Sequence, residues 1–309
     1  MDRVIIAGAD GFIGSHLCRY FASQGLSVYA QVIPNSPLKG RIEGINGVEI
    51  VECDLTREDA AKLFPQSPKA FLCLAWAGVS PEGRDSFDLQ FSNVELVLKA
   101  ARLAALIRAE KFILPGSTAE YTDCGGPING DSCPSPQNAY GAAKVSARYL
   151  CRALCRELDL PYIYAVITGI YAADRRDSNV IYYAIRQLLD RKKPSLTALE
   201  QLWDYVHIRD VERAFYLIAT RGKGGAFYSI GHGDNQPLSR YIEQIRDIID
   251  PDLPLGIGEI PYRDGRRPSS CIDLTALRRD TGFEPSVPFE EGIREVIRAI
   301  RMEDEQKSK

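Results

Sequence analysis

Arg3-Val4-Ile5-Ile6-Ala7 runs straight into Gly8-Ala9-Asp10-Gly11-Phe12-Ile13-Gly14, after which apolar residues return at helical spacing. A strand that turns this quickly into a helix leaves few folds open. Gly8 permits the tight turn, Gly11 lets backbone N–H groups approach a pyrophosphate, and Gly14 lets the helix pack on the strand. Phe12, Ile13, Leu17, Tyr20 and Phe21 mark the buried face of that helix. A second apolar run at 27–32 completes the strand–helix–strand context in which such a turn reads as a dinucleotide site.

The alternation continues along the chain. Residues 3–7, 27–32, 48–52, 70–75 and 111–115 read as strands, with helices at about 12–24, 57–64, 86–108 and 139–158. This predicts an α/β fold of Rossmann type, a doubly wound parallel sheet with helices on both faces. After residue 165 the rhythm loosens. Strands are expected at 162–168, 203–206 and 226–230, and helices at 178–190, 209–220, 237–249 and from Phe289, the last fraying after Met302. The expected division is a dinucleotide-binding domain over 1–165 and a smaller α/β substrate-binding lobe over 166–309. Elements at about 203–230 are expected to return to the first sheet.

Bulk properties exclude other classes. At 309 residues the chain can bury a large core. A net charge of −3 and a pI near 5.8 give no basic field for nucleic acid. No apolar run approaches the ~20 residues needed to cross a bilayer. The N-terminus enters a strand at once, without a signal-peptide layout, so the expected location is cytoplasmic. Eight cysteines stand without a C-x-x-C pair and with three histidines, so no metal is expected and the thiols read as reduced, small hydrophobes.

Tyr140-Gly141-Ala142-Ala143-Lys144 places a phenol and an ammonium on one helix face. Ser117 lies 23 residues earlier, just after the fifth strand. Together with the glycine turn, these residues point to hydride chemistry at a carbon bearing a hydroxyl or a ketone.

The set resembles the extended branch of the short-chain dehydrogenase/reductase superfamily, the NAD-dependent epimerase/dehydratase family, which acts largely on nucleotide sugars. Asp54-Leu55, Leu74-Ala75-Trp76-Ala77-Gly78, Asn93 and the stretch Leu196–Val211 fit the same resemblance. It implies that Tyr140 is the acid/base, that Lys144 binds the nicotinamide ribose and tunes the phenol, and that Ser117 holds the substrate oxygen. It further implies cofactor contacts from Gly8, Gly11, Phe12, Ile13, Gly14, Asp54, Leu55, Leu74, Ala75, Trp76 and Asn93, beside Tyr140 and Lys144. Thr118, Arg84, Gln201 and Arg263 become candidate substrate-binding residues.

The second strand ends in Val28-Tyr29-Ala30-Gln31-Val32-Ile33-Pro34, with no acid to chelate the ribose hydroxyls. That favours NADP, with NAD the alternative, because no arginine stands beside it in the sequence. Thr118 and Ala119 occupy the places where sugar-nucleotide dehydratases carry Asp and Glu, and Glu120 is one position late, which points its side chain elsewhere. Trp203 reads as core, His207 as a hydrogen-bonded structural residue, and Asp210 as the cap of the helix after it. The expected activity is reduction of an NDP-4-keto-6-deoxyhexose, the alternative a 4-epimerase, and the remote alternative a non-catalytic NAD(P)-sensing regulator. The expected assembly is a homodimer through helices 86–108 and 139–158.

Overall fold

The computed structural model describes residues 2–122, 126–175, 179–262 and 269–307. The chain begins with β1 (Arg3–Ala7), α1 (Phe12–Ser23), β2 (Ser27–Val32), β3 (Val48–Glu52) and β4 (Ala70–Cys73). It continues through α2 (Pro81–Arg84), α3 (Phe87–Leu106), β5 (Phe112–Ser117), α4 (Ala139–Glu157) and β6 (Tyr162–Ile167). Then come β7 (Gly169–Tyr171), α5 (Val180–Leu189), β8 (Leu202–Trp203), β9 (Tyr205–His207), α6 (Ile208–Arg221) and β10 (Phe227–Ile230). The last elements are β11 (Gln236–Pro237), α7 (Leu238–Ile249), α8 (Thr275–Thr281) and α9 (Phe289–Lys307). No helix among the described residues is long and apolar enough to cross a membrane.

Two compact units result. The first comprises Met1–Ile167, Val211–Ile230 and Asp273–Glu284. Its seven-stranded sheet runs β3-β2-β1-β4-β5-β6-β10, every pair parallel. The four residues of β4 and the six of β6 are all buried, as expected of apolar runs covered on both faces. Strand order reverses at β1, which has β2 on one side and β4 on the other. The carboxyl ends of the strands open there into the crevice where doubly wound sheets bind ligands.

The second unit comprises Thr168–Asp210, Gly231–Ile272 and Pro285–Lys309. Here β7 pairs with β9 in parallel, and β8 pairs with β11 antiparallel. Its core gathers Tyr171, Ile185, Tyr205, Tyr241, Phe289 and Ile293.

Several elements differ from the sequence expectation, each for a local reason. The fourth strand stops at Cys73 rather than Ala75, while the fifth runs on to Ser117 instead of stopping at Pro115. Beyond Ile113, β5 therefore pairs only with β6, and Pro115, which has no N–H to donate, lies in that one-sided stretch. The helix expected at 57–64 is a short 3-10 turn, Glu58–Leu63. The strand expected at 203–206 is split in two at Asp204, because β8 pairs with β11 and β9 with β7; the buried Asp204 carboxylate at the break accepts the His232 and Gly233 backbone N–H groups. Asp210 does not cap its helix; it lies within the first turn and clamps Ser286 and Val287 through three N–H and O–H donors. The last helix continues through the polar tail to Lys307, since Arg186 of α5 grips Asp304 at 2.6 and 2.8 Å.

Candidate active site

The glycine turn lies at the carboxyl end of β1. Gly8 has φ +71°, and a Cβ there would fall 2.7 Å from the Ala75 nitrogen; at Gly14 a Cβ would fall 2.3 Å from the Gly8 carbonyl oxygen. Gly11 is the N-cap of α1, so no side chain covers the turn that Phe12 and Ile13 begin. A bare helix N-terminus of this kind binds anions through its backbone N–H groups. Gln31, buried at the end of β2, accepts the Gly8 N–H at 3.1 Å and donates to the Cys53 carbonyl at 2.7 Å. One amide thus ties together the ends of β1, β2 and β3.

Past β3, Asp54 is exposed and Leu55 buried. Bonds from Thr56, first its backbone N–H, hold the Asp54 carboxyl below its ordinary range. Past β4, Leu74 donates to the Ala7 carbonyl, which lays Leu74-Ala75 against the glycine turn. Asn93 of α3 brackets Ala77, accepting its N–H at 2.8 Å and donating to its carbonyl at 2.9 Å. Gln90 accepts the Trp76 indole N–H at 2.9 Å and donates to the Gly78 and Gly83 carbonyls. Asn93 and Gln90 therefore shape the β4 loop by direct bonds to it.

Tyr140 and Lys144 project from the first turns of α4, whose N-cap is Asn138, its side chain accepting the Gly141 N–H. Both are nearly fully buried. The Lys144 Nζ donates to the Pro115 carbonyl at 3.2 Å and lies 3.7 Å from the centroid of the Trp76 ring. Trp76 in turn meets Tyr140 edge-on, with centroids 6.1 Å apart. Burial raises the Tyr140 phenol above its ordinary range, opposed first by its hydrogen bond with the Ser117 side chain and then by the Arg84 guanidinium. That guanidinium lies 5.2 Å from the Tyr140 ring centroid. Ser117 also accepts the Ala119 N–H at 3.2 Å and caps the 3-10 turn Thr118–Glu120, in which Thr118 is half-buried.

The fold thus brings Ser117, Tyr140, Lys144, Trp76 and Arg84 into one cluster. A phenol, a charged amine and a hydroxyl arranged this way can pass a proton to or from an oxygen on carbon. The glycine turn, Leu74 and Ala75 line the same crevice edge, with Asp54 and Leu55 at the end of β3. Gln201 belongs to the second unit, where its amide oxygen accepts the Tyr262 hydroxyl at 2.8 Å. Arg263, and the Arg266 and Arg267 beside it, lie outside the described residues. Three contributors carried no sequence signal beyond being polar: Gln31, Gln90 and Arg41. A fourth, Glu120, was legible from Ser117-Thr118-Ala119-Glu120 as an S-x-x-E capping box, which the structure makes. Arg41 donates from its guanidinium to the Asp10 carbonyl at 3.3 Å, next to the glycine turn.

Comparison with known proteins agrees with this geometry. The profile of the NAD dependent epimerase/dehydratase family matches residues 4–231. GDP-6-deoxy-D-mannose reductase from Pseudomonas aeruginosa is 24% identical over 311 residues, covering 96% of each chain. dTDP-glucose 4,6-dehydratase from Neisseria meningitidis is 25% identical over 332 residues, covering 96% of this chain and 92% of its own. UDP-glucuronic acid 4-epimerase from Bacillus cereus, solved with UDP-glucuronic acid and NAD, superposes with a TM-score of 0.82 at 20% identity, covering 97% of this chain and 99% of its own. With a parallel sheet, a glycine turn and a tyrosine–lysine pair at its carboxyl edge, the chain belongs to the NAD dependent epimerase/dehydratase family.

Proposed function

We propose that the protein is an NAD(P)-dependent oxidoreductase acting at C4 of a nucleotide sugar, reducing an NDP-4-keto-6-deoxyhexose. The observation that carries this reading is the cluster of Ser117, Tyr140 and Lys144 at the edge of a dinucleotide crevice. The residues present fit the cofactor: bare N–H groups at α1 suit a pyrophosphate, and Leu74, Ala75 and Trp76 offer apolar surface toward the tyrosine–lysine pair. A reduced nicotinamide bound there supplies the hydride. Ser117 donates to the ketone oxygen and orients it. Tyr140 gives the proton as that oxygen becomes a hydroxyl, and Lys144 stabilises the phenolate charge left behind.

Dehydration is disfavoured because Thr118 and Ala119 carry no acid, and Glu120 is spent on Ser117 and Tyr164. GDP-6-deoxy-D-mannose reductase spans nearly all of both chains, which is in keeping with reduction, and the dehydratase of similar coverage is set aside on the missing acids. Arg41 supports NADP over NAD, since tertiary structure holds its guanidinium beside the glycine turn and the end of β2 carries no acid to chelate the ribose hydroxyls. Arg84 is proposed to meet the sugar, and Gln201 and Arg263 the nucleotide diphosphate. Exposed Phe87 and Phe91 on α3 and Tyr149 and Leu150 on α4 support a homodimer through those helices. A cytoplasmic location is part of the same proposal.

The test is to offer CDP-, dTDP-, UDP- and GDP-linked 4-keto-6-deoxyhexoses with NADPH or NADH and follow loss of the reduced nicotinamide band. Stoichiometric consumption with one of them is expected. Interconversion of C4 epimers without net consumption, with NAD retained through purification, replaces the reductase with the epimerase. Cofactor binding with no turnover of any sugar leaves the sensing regulator.

A further inference from the structure

Glu120 takes no part in the proposed reaction, yet its side chain is fully buried against the residues that do. One carboxylate oxygen accepts the Ser117 N–H at 2.6 Å and the Tyr164 hydroxyl at 2.7 Å. The other is buried without a hydrogen-bond partner among the described residues. A half-bonded buried carboxylate is costly unless positive charge is near, and a well-packed apolar residue would avoid the cost. Two cations act on it, both from α4, and the Lys144 attraction exceeds that of Arg148. Arg148 is committed to the Tyr121 hydroxyl and to the faces of the Tyr164 and Phe227 rings. Lys144 has the Pro115 carbonyl, two residues before Ser117, and the Trp76 ring face.

Resting on the roles assigned above to Ser117, Tyr140 and Lys144, we propose that Glu120 is a positioning residue: it fixes Ser117 through its backbone N–H and keeps the Lys144 ammonium charged.

Burial alone drives Lys144 toward the neutral amine, which has no field to offer a phenolate; Glu120 opposes this, with Cys73 of β4 a smaller influence. Burial also raises the Glu120 carboxyl, held back by the Tyr164 and Ser117 bonds and then by Lys144 and Arg148. Ionised Glu120 works weakly against ionisation of Tyr140 itself, so any benefit has to act through Lys144. Tyr162 and Tyr164, raised far by burial, stay neutral throughout. Glu120 and Lys144 therefore titrate as a pair.

The direct test titrates Lys144 in cofactor-free protein by NMR of isotope-labelled lysine side chains, with Lys144→Met for assignment. Glu120→Gln keeps an acceptor for Ser117 and Tyr164 but loses the charge. It should lower the Lys144 titration by about one pH unit and shift the alkaline limb of kcat likewise, with KM changed less than about threefold. Glu120→Asp, which keeps the charge, should restore most of the difference. An unmoved Lys144 titration in Glu120→Gln, or an equal shift in Glu120→Asp, overturns the proposal. Should Glu120→Gln not fold, Tyr164→Phe serves: it makes Glu120 harder to ionise and should lower Lys144 too, and no shift again overturns the idea. Since the titration needs no turnover, a shifted Lys144 in a protein inactive on every sugar offered sinks only the reaction proposed above.

Discussion

Lys144→Met tests the candidate site most directly. The ammonium lies 5.9 Å from the centroid of the Tyr140 ring. With that ring distance as the scale of charge separation, two unit charges interact by about 2.8 kcal/mol at an effective dielectric of ~20, which is about two pH units in an ionisation or ~100-fold in a rate. The helix start beneath Tyr140 offers only ~0.3–1 kcal/mol, and burial works in the opposite direction. Lys144 is therefore a strong source of phenolate stabilisation from the buried side, beside Ser117 and the exposed Arg84 guanidinium, and methionine replaces its volume without its charge. In the reducing direction at neutral pH, kcat should fall up to ~100-fold with KM nearly unchanged, because the charge acts on the transition state. In the oxidising direction the phenolate is the working form, so the variant's rate should climb ~10-fold per pH unit as the solution becomes alkaline. Both directions are read from nicotinamide absorbance between about pH 6 and 9. Thermal stability should fall, since the buried Glu120 carboxylate loses the stronger of its two cations and the Pro115 carbonyl its donor. A variant equally active at pH 7 and pH 9 in the oxidising direction, or one whose loss lies wholly in KM, would refute the reasoning.

Gly8→Ala forces alanine to φ +71° and drives its Cβ to 2.7 Å from the Ala75 backbone nitrogen. NADPH binding, followed by fluorescence titration, should weaken ~30-fold or more with circular dichroism preserved, and intact affinity would count against the turn as the pyrophosphate site. Arg41→Ala should weaken NADPH ~10-fold while NADH changes less than twofold, and equal effects on both would remove the NADP preference. Burial pushes Asp204 up to about 7 against the His232 and Gly233 N–H bonds. Its folded pKa exceeds its unfolded one, so the stability it contributes is complete below about pH 4 and is lost as pH rises through 7, by ~4 kcal/mol at most. The thermal midpoint of the wild type should therefore fall relative to Asp204→Asn across that window, and parallel curves would show that Asp204 titrates normally.

Much of the fold was legible because periodicity and turn chemistry are local. The strands Arg3–Ala7, Ser27–Val32 and Val48–Glu52 match their expected bounds: the inner β1 and β2 are short, largely apolar runs between turns, and the edge strand β3 alternates Glu49 with Val48 and Ile50. Less of the second unit was legible. Asp204 divides an apolar run, and α8 lies in a proline-rich stretch that reads as loop. Arg41 illustrates the limit at the site, because the reach of its guanidinium to Asp10 depends on how the chain after β2 folds back.

The residue types and spacings alone determined a strand–turn–helix dinucleotide unit, a Tyr140/Lys144 pair on one helix face, and a serine just after a strand. Each rests on neighbours a few residues apart, so the backbone period settles it. Tertiary structure alone decided that Lys144 leans on Trp76 and the Pro115 carbonyl, that Gln31 ties three strand ends together, and that Glu120 accepts the Tyr164 hydroxyl. Those contacts join residues far apart in the chain. Their strength comes from desolvation, which a side chain acquires only when the packed core removes its water.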